Sequence, residues 1–298
     1  PEMNGMNEQV QLSGTLYNVV NHFKIKNLDL RVRKNTFLKG DLDLPDFSDF
    51  AAYPFREVIR KASFDMAELS KVRLPDGSFF SFGPEVDRLG TVRFRNMVLD
   101  GKQGQLILRP VTIKTEKGDL SLVSPVKLDV LGNAIGIQNL RPDSIAVALN
   151  HIQLGEILGI SDVGVLNGNL KFSTFDVLDK GFKLSNGSAY FSELETMGYV
   201  YHNVELNDMH MNGVVLNTSV QVDDPNAKFM ISGDFNIEGT PSYNASMRFE
   251  KLNLGALGFT ESKNTALIGE FTVETKGPSF NRFEGGVTFD HFSYTEDG

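Results

Sequence analysis

The sequence predicts an all-β protein, a long twisted antiparallel meander with one or two short helices. Three observations predict it: a strand signature that recurs, period-2 alternation along most of the 298 residues, and a scarcity of helical period. The signature is Leu or Ile, any residue, Gly, a polar residue, then Leu or Phe, and it occupies residues 12–16, 38–42, 166–170, 231–235 and 267–271. Composition alone yields about one such match at most. Four of the five continue the alternation one step, to Leu44, Phe172, Ile237 and Val273. Residues two apart share one face of a strand, so each copy encodes a strand with one apolar and one polar face.

The elements follow in order. Alternation runs through Leu28/Leu30/Val32, Val92/Phe94, Leu106/Leu108, Leu120/Leu122, Val126/Leu128/Val130 and Ile145/Val147/Leu149. It resumes at Phe182/Leu184, Val204/Leu206, Val220/Val222, Phe229/Ile231 and Tyr243/Ala245/Met247/Phe249. Turn signals divide these stretches: Pro75-Asp76-Gly77, Asp100-Gly101, Glu116-Lys117-Gly118, Asn186-Gly187, Asn212-Gly213, Asp224-Pro225-Asn226 and Glu238-Gly239. Short strands with turns at such intervals read as an antiparallel meander. The phase slips at Lys26-Asn27, which predicts a bulge. Helical period is best within residues 55–69, where Val58, Ile59, Ala62, Met66 and Leu69 could line one face. Asp65-Met-Ala-Glu68 has the form of a helix start, and residues 154–160 are a weaker candidate. No composition shift marks a boundary, so the chain reads as one continuous β-rich segment, expected to be part of a longer repetitive protein.

Parity orients the signature residues. Leu16, Leu42, Leu44, Leu170, Phe172, Phe235, Ile237, Phe271 and Val273 are expected on one apolar surface, with Asp41, Asn169, Asp234 and Glu270 facing solvent. Gly40, Gly168, Gly233 and Gly269 share the inward parity. A glycine inside a strand marks a bend, a bulge or a close approach, so these positions are expected to let the sheet curl tightly and keep its walls close together.

Composition excludes several functions. A net charge of −9 argues against nucleic acid, whose binders cluster Lys and Arg; Arg31-Val-Arg33-Lys34 reads as a solvated strand face or turn. With no cysteine there is no disulfide, thiolate nucleophile or cysteine zinc site, and such a chain suits an oxidising compartment such as a bacterial periplasm. No apolar run reaches the eighteen or so residues of a membrane helix, and no signal-peptide pattern opens the sequence.

Chemistry-bearing motifs are few. His22, His151, His202, His210 and His291 are scattered, and Met209-His210-Met211 reads as two core methionines beside an exposed His. Asp41, Asp43, Asp46 and Asp49 have spacings a calcium site could use, but lack the loop Gly and closing Glu. No nucleophile elbow or phosphate-cradling loop is present. The reading is of no enzyme, no metal and no cofactor. Asn186, Asn217 and Asn244 open triplets of the N-glycosylation form, which recur by chance and would be idle in a bacterium.

The amphipathic strands, with Gly198-Tyr-Val-Tyr201-His-Asn203-Val204 leading into Asp223-Asp-Pro225-Asn-Ala-Lys-Phe229-Met-Ile-Ser-Gly233-Asp-Phe235, resemble the TamB family, the translocation and assembly module subunits of the AsmA-like superfamily. Residues 38–47 and 249–257 resemble it too. The resemblance implies a taco-like or half-pipe groove with an apolar concave face. It implies a bridge across the Gram-negative periplasm, anchored in the inner membrane, that shields phospholipid acyl chains between inner and outer membranes. An outer-membrane barrel assembly protein is the implied partner, and the nine signature hydrophobes above are the implied groove lining. On the residues alone two rivals stay open. One is a filled β-sandwich or adhesin-like module whose apolar faces cover each other. The other is a carbohydrate-active β-rich enzyme, which the absence of Trp disfavours.

Overall fold

Amphipathic strands of this kind can bury their apolar faces only by pairing in register, and the register is what the structure displays. The structure, a computed structural model, describes residues 10–19, 22–45, 54–72, 83–102, 105–129, 145–159, 161–177, 182–213, 215–236, 242–261, 265–279 and 282–296. Strand pairing among them is antiparallel throughout. The protein is an all-β meander with three short helices, and it divides into two compact units, residues 1–160 and 161–298.

In the first unit β1 (Gln11–Val19), β2 (His22–Arg31), β3 (Phe37–Pro45), β4 (Phe55–Asp65) and β5 (Thr91–Lys102) pair in sequence. The next hairpin has both arms broken. One arm is β6 (Gln105–Leu108) and β7 (Val111–Thr115), which both pair with β5; the other is β8 (Gly118–Leu122) and β9 (Val126–Asp129). Pro110 and Pro125 sit at the two breaks, as expected of a residue with no N–H for the ladder. β10 (Ile145–Gln153) then pairs with β8. The apolar parity is continuous across the pairing: Leu12, Leu30, Leu38, Ala62, Phe94, Ile113, Leu120 and Leu149 are successive cross-strand partners.

The helices are α1 (Met66–Leu69), α2 (Pro84–Asp87) and α3 (Leu154–Leu158). The Asp65-x-x-Glu68 start is real: the Asp65 carboxylate accepts from the Glu68 N–H at 3.1 Å. Glu68 in turn accepts from the Thr36 hydroxyl at 2.8 Å, tying the helix to the β2–β3 turn. The helical period expected over 55–69 is a correction, because residues 55–65 form β4. One extra residue in that strand, Arg60, resets its alternation, bringing Ile59 and Ala62 to the core. A bulged strand thus mimics a helical spacing.

The bulge expected at Lys26-Asn27 is present: β2 shifts register there, and Asn27 takes φ 53°. Asp41 joins this bulge to the one in β4. Its carboxylate accepts from the Asn27 N–H and from Arg60 Nη1, both at 2.8 Å. The Asn27 bond, with Arg60 and Lys26, holds the Asp41 carboxyl below its ordinary value despite some burial. Two predicted turns are corrections of the same kind. Asp100-Gly101 lies inside β5, and Asn186-Gly187 lies inside a long strand of the second unit, where Asn186 takes φ 50° beside a register shift. Asn-Gly tolerates left-handed backbone in a bulge as readily as in a turn, whereas Asp100-Gly101 pairs in unbroken register with Arg56 and Phe55. Turns do form at residues 116–117 and 225–226, and Asn212-Gly213 closes β14, with Asn212 paired to Val215 and Gly213 at φ 65°. Those expected at 75–77 and 238–239 lie outside the described residues.

The second unit is the longer meander. β11 (Val163–Phe172) and β12 (Thr174–Val177) both pair with β13 (Phe182–Thr196). β14 (Tyr199–Gly213), β15 (Val215–Asp224), β16 (Ala227–Asn236), β17 (Ser242–Leu252), β18 (Thr265–Ser279) and β19 (Arg282–Glu296) follow hairpin upon hairpin. Its core lies at one end, where Val204, Val222, Ala227 and Leu257 are buried under the turns of residues 253–261, with Phe191, Leu206 and Phe229 against them.

The signature glycines sit where the neighbouring strand comes close. A Cβ built on Gly233 would lie 2.6 Å from the Ala245 Cα, and one on Gly168 would lie 2.8 Å from the Phe191 Cα. The crowding group is the backbone of the adjacent strand, so these glycines mark a close approach between strands. Gly233→Val is expected to lose about 1–3 kcal/mol through overpacking. Gly286, with no atom near its missing Cβ, should tolerate Ala within about 0.5 kcal/mol. Urea denaturation of the two variants checks this.

Candidate functional site

The site is a surface built by register. In the second unit Leu170, Ala189, Leu206, Val220, Ile231, Met247, Phe271 and Phe289 are successive cross-strand partners, one from each strand from β11 to β19 apart from β12. The next row on the same face runs Gly168, Phe191, Val204, Val222, Phe229, Phe249, Gly269, Phe292. One residue over, the other face presents Asn169, Tyr190, Glu205, Gln221, Met230, Arg248, Glu270 and His291. Cross-strand partners point to the same side, so the two faces differ sharply in chemistry.

Rings on the apolar face form a chain of contacts. Tyr199 meets Tyr201 at 4.8 Å between centroids, Tyr201 meets Phe229 at 6.4 Å, and Phe229 meets Phe249 at 5.6 Å. Phe249 stacks on Phe271 at 4.8 Å, Phe271 meets Phe289 at 5.7 Å, and Phe289 meets Phe292 at 5.5 Å. Away from the packed end the apolar residues are half-buried: Leu170, Ile231, Met247 and Phe271 all fall in this class. Among the described residues of this unit, only residues 253–261 lie outside the strands as a covering segment, and they pack at one end. Phe289 and Phe292 on β19 are each 57% exposed.

The nine signature hydrophobes are placed as follows. Leu170 and Phe271 stand in the first row. Val273 pairs with Ala245, and Phe235 with Leu216 and Tyr243, on the same parity. Phe172 is 9% exposed beyond Leu170 on β11. In the first unit Leu16 pairs with Ile25 and is 62% exposed, while Leu42 pairs with Ile25 and is half-buried. Leu44 pairs with Phe23, its side chain lying outside the described residues, as Ile237 does entirely. Of the residues expected to face solvent, Asn169, Asp234 and Glu270 are exposed and Asp41 is half-buried in its bulge clamp. The sequence reading names Phe229, Phe249 and Tyr201 but leaves them out of the groove-lining set, although alternation contained the signal for the two phenylalanines.

It also missed two carboxylates held by hydrogen bonds, one buried and one half-buried. Asp224 closes the β15–β16 turn with no side-chain surface exposed. It accepts from the Tyr199 hydroxyl at 2.6 Å, the Asn226 N–H at 2.8 Å and the His202 N–H at 3.0 Å, with His202 Nδ1 also at 3.0 Å. In the first unit Glu57 accepts from the Asp43 N–H at 2.9 and 3.0 Å through its two oxygens, where β3 stops pairing with β4. Burial pushes Glu57 up to about 7, against the Asp43 N–H bond and aided by the Asp43 carboxylate. An acid whose pKa is raised on folding favours the fold below its unfolded value, and that contribution disappears as pH rises through about 7. Thermal stability should therefore decline between pH 5 and 8, and Glu57→Gln should flatten the decline. Allowing for solvent around a half-buried group, the variant should be about 1 kcal/mol more stable at pH 8. Melting curves at the two pH values check this.

Among the described residues no group of three or more His, Asp or Glu is placed to hold a metal. His210 is exposed, bonded to the Asp208 carbonyl, with Met211 paired to Leu184 and Leu216. Asp41 and Asp43 are engaged by Arg60 and Lys24, and Asp46 and Asp49 lie outside the described residues. No helix among the described residues is long and apolar enough to cross a membrane. The structure thus defines a class: an antiparallel meander with one apolar and one polar face. Comparisons with family models, curated proteins and solved structures return no match.

Proposed function

We propose that this chain is a section of a lipid-carrying bridge of the TamB kind, shielding phospholipid acyl chains on its apolar face. The observation that carries the reading is the first apolar row across the second unit, mostly half-buried and, away from the end packed by residues 253–261, without a second layer among the described residues. Contiguous apolar surface of that extent is costly in water, at about 25 cal/mol per Å², and marks a binding surface. An acyl chain suits it, because the rows offer methyl, methylene and ring surface with no polar group to orient a ligand.

The proposed setting is the periplasm of a Gram-negative bacterium, with anchoring and docking to the inner membrane, the outer membrane and a barrel assembly protein supplied elsewhere in the full-length protein. No catalytic step is proposed. Mass spectrometry of the natively purified chain is expected to find phospholipid, and the delipidated chain is expected to take up a fluorescent fatty-acyl probe saturably. Neither lipid nor probe uptake would sink the proposal in favour of apolar faces that cover each other.

A further inference from the structure

We infer that the polar face of the first unit carries an anion-binding site for a ligand with two or more phosphate groups. A concavity of about 820 Å³ opens there, lined by Lys34, Lys61, Arg93, Arg95 and Lys114 with Phe37, and no Asp or Glu lines it. That volume is in the range of small-molecule sites. Lys61, Arg93, Arg95 and Lys114 lie one step off the row Leu38, Ala62, Phe94, Ile113 and so belong to the opposite face. Lys34 stands in the β2–β3 turn, and Ala62, Phe94, Val111 and Leu122 of the apolar parity complete the lining.

The arrangement works against the fold's own stability. Lys61 is the direct cross-strand partner of Arg95, and Arg93 is that of Lys114. Like charges directly opposite each other in a sheet are destabilising. Several cations elsewhere in this unit are matched by acids: Lys24 with Asp43, Lys39 and Arg31 with Asp29, Arg60 with Asp41, Arg109 with Asp100. In the concavity only Lys114 has an acid, Asp119 at 2.8 Å. Lys34, Arg93 and Arg95 have no ion pair among the described residues, and Lys61 lies 5.3 Å from the Phe37 ring centroid.

Two opposed cation pairs in a chain of net charge −9 are relieved by an anion that bridges them. Arginine forks match phosphate oxygens bidentately, and lysines add point charge. The four cations other than Lys114 exceed what one monovalent anion neutralises, so the geometry selects clustered phosphates, either on a lipid head group or on a free polyphosphate. The site rests on its cations and not on the lipid-carrying reading, so the two stand or fall separately.

The test is calorimetric titration of the chain with inorganic tripolyphosphate at low salt. Saturable single-site binding is expected, weakened at least tenfold in Arg95→Gln and in Arg93→Gln and unchanged in Lys228→Gln, a cation of the second unit paired with Glu250. Arg95→Glu should place a carboxylate opposite Lys61, raising Tm while abolishing binding, which separates lost binding from lost folding. Absence of saturable binding, or equal weakening in Lys228→Gln, would overturn the site. Cosedimentation with phosphatidylcholine vesicles containing cardiolipin, but not with phosphatidylcholine alone, identifies a head group if tripolyphosphate and Arg95→Gln both abolish it. Tripolyphosphate binding without cosedimentation identifies a free anion. Displacement of tripolyphosphate by poly-glutamate at lower concentration would overturn the phosphate assignment in favour of an acidic protein segment.

Discussion

Asp224→Ala is expected to destabilise the second unit by about 2–4 kcal/mol, because it strands several donors of one buried carboxylate at once. The carboxylate has no exposed surface and satisfies the Tyr199 hydroxyl, the Asn226 N–H and the His202 N–H. Truncation removes these bonds together and leaves their donors facing a cavity beside the packed end formed by Val204, Val222, Ala227 and Leu257. Each stranded donor costs about 1–3 kcal/mol, less what relaxation recovers. Asp224→Asn keeps one acceptor oxygen and should lose roughly half as much. Burial would raise the Asp224 carboxyl, but the bonds from Tyr199, Asn226 and His202 outweigh it and hold the group below its ordinary value. A depressed acid stabilises the fold above its unfolded pKa, and that stability is lost as pH falls through the folded value. The wild type should therefore lose this contribution below about pH 4, and the Ala variant should show a flatter acid limb. Urea titrations at pH 7 and pH 3.5 distinguish the three proteins.

The Asp224 cluster also shows where the sequence stops being legible. Its partners Tyr199 and His202 stand 25 and 22 residues away, and only the β14–β15–β16 register brings them together. The strands themselves were readable, because alternation is local and a register slip would turn every apolar side chain to water. Asp65-x-x-Glu68 was readable for the same reason, a cap being settled within one turn. What misled was chemistry shared by two structures. Asn186-Gly187 and Asp100-Gly101 satisfy the needs of a turn and of a strand interior alike, and residues 55–65 satisfy helical spacing once Arg60 is bulged. The aromatic chain from Tyr199 to Phe292 was hidden differently: every ring was visible, but their adjacency depends on the register of five strands.

Leu170→Asp and Val204→Asp are expected to separate the two things an apolar face can do. Leu170 is half-buried at one end of the first row, whereas Val204 is 2% exposed under the turns of residues 253–261. An aspartate at Val204 has neither water nor a cation within the packed cluster, and a buried unpaired carboxylate is among the few single changes that cost more than about 4 kcal/mol. That variant should fail to accumulate. At Leu170 the carboxylate can reach solvent when the face is empty, so the protein should fold and accumulate normally. It becomes costly only when an acyl chain covers it, and the expected result is a several-fold fall in co-purified phospholipid with unchanged abundance. Asn169→Lys, on the polar face next door, should change neither. If Leu170→Asp is lost from cells as completely as Val204→Asp, the face is a packed core and the lipid-carrying proposal fails. If it accumulates with its lipid content intact, acyl chains do not lie over the first row. Quantitative immunoblotting beside lipid mass spectrometry of the same preparations reads both outcomes, and only normal abundance with depleted lipid supports a surface that is built to be covered by something other than the protein itself.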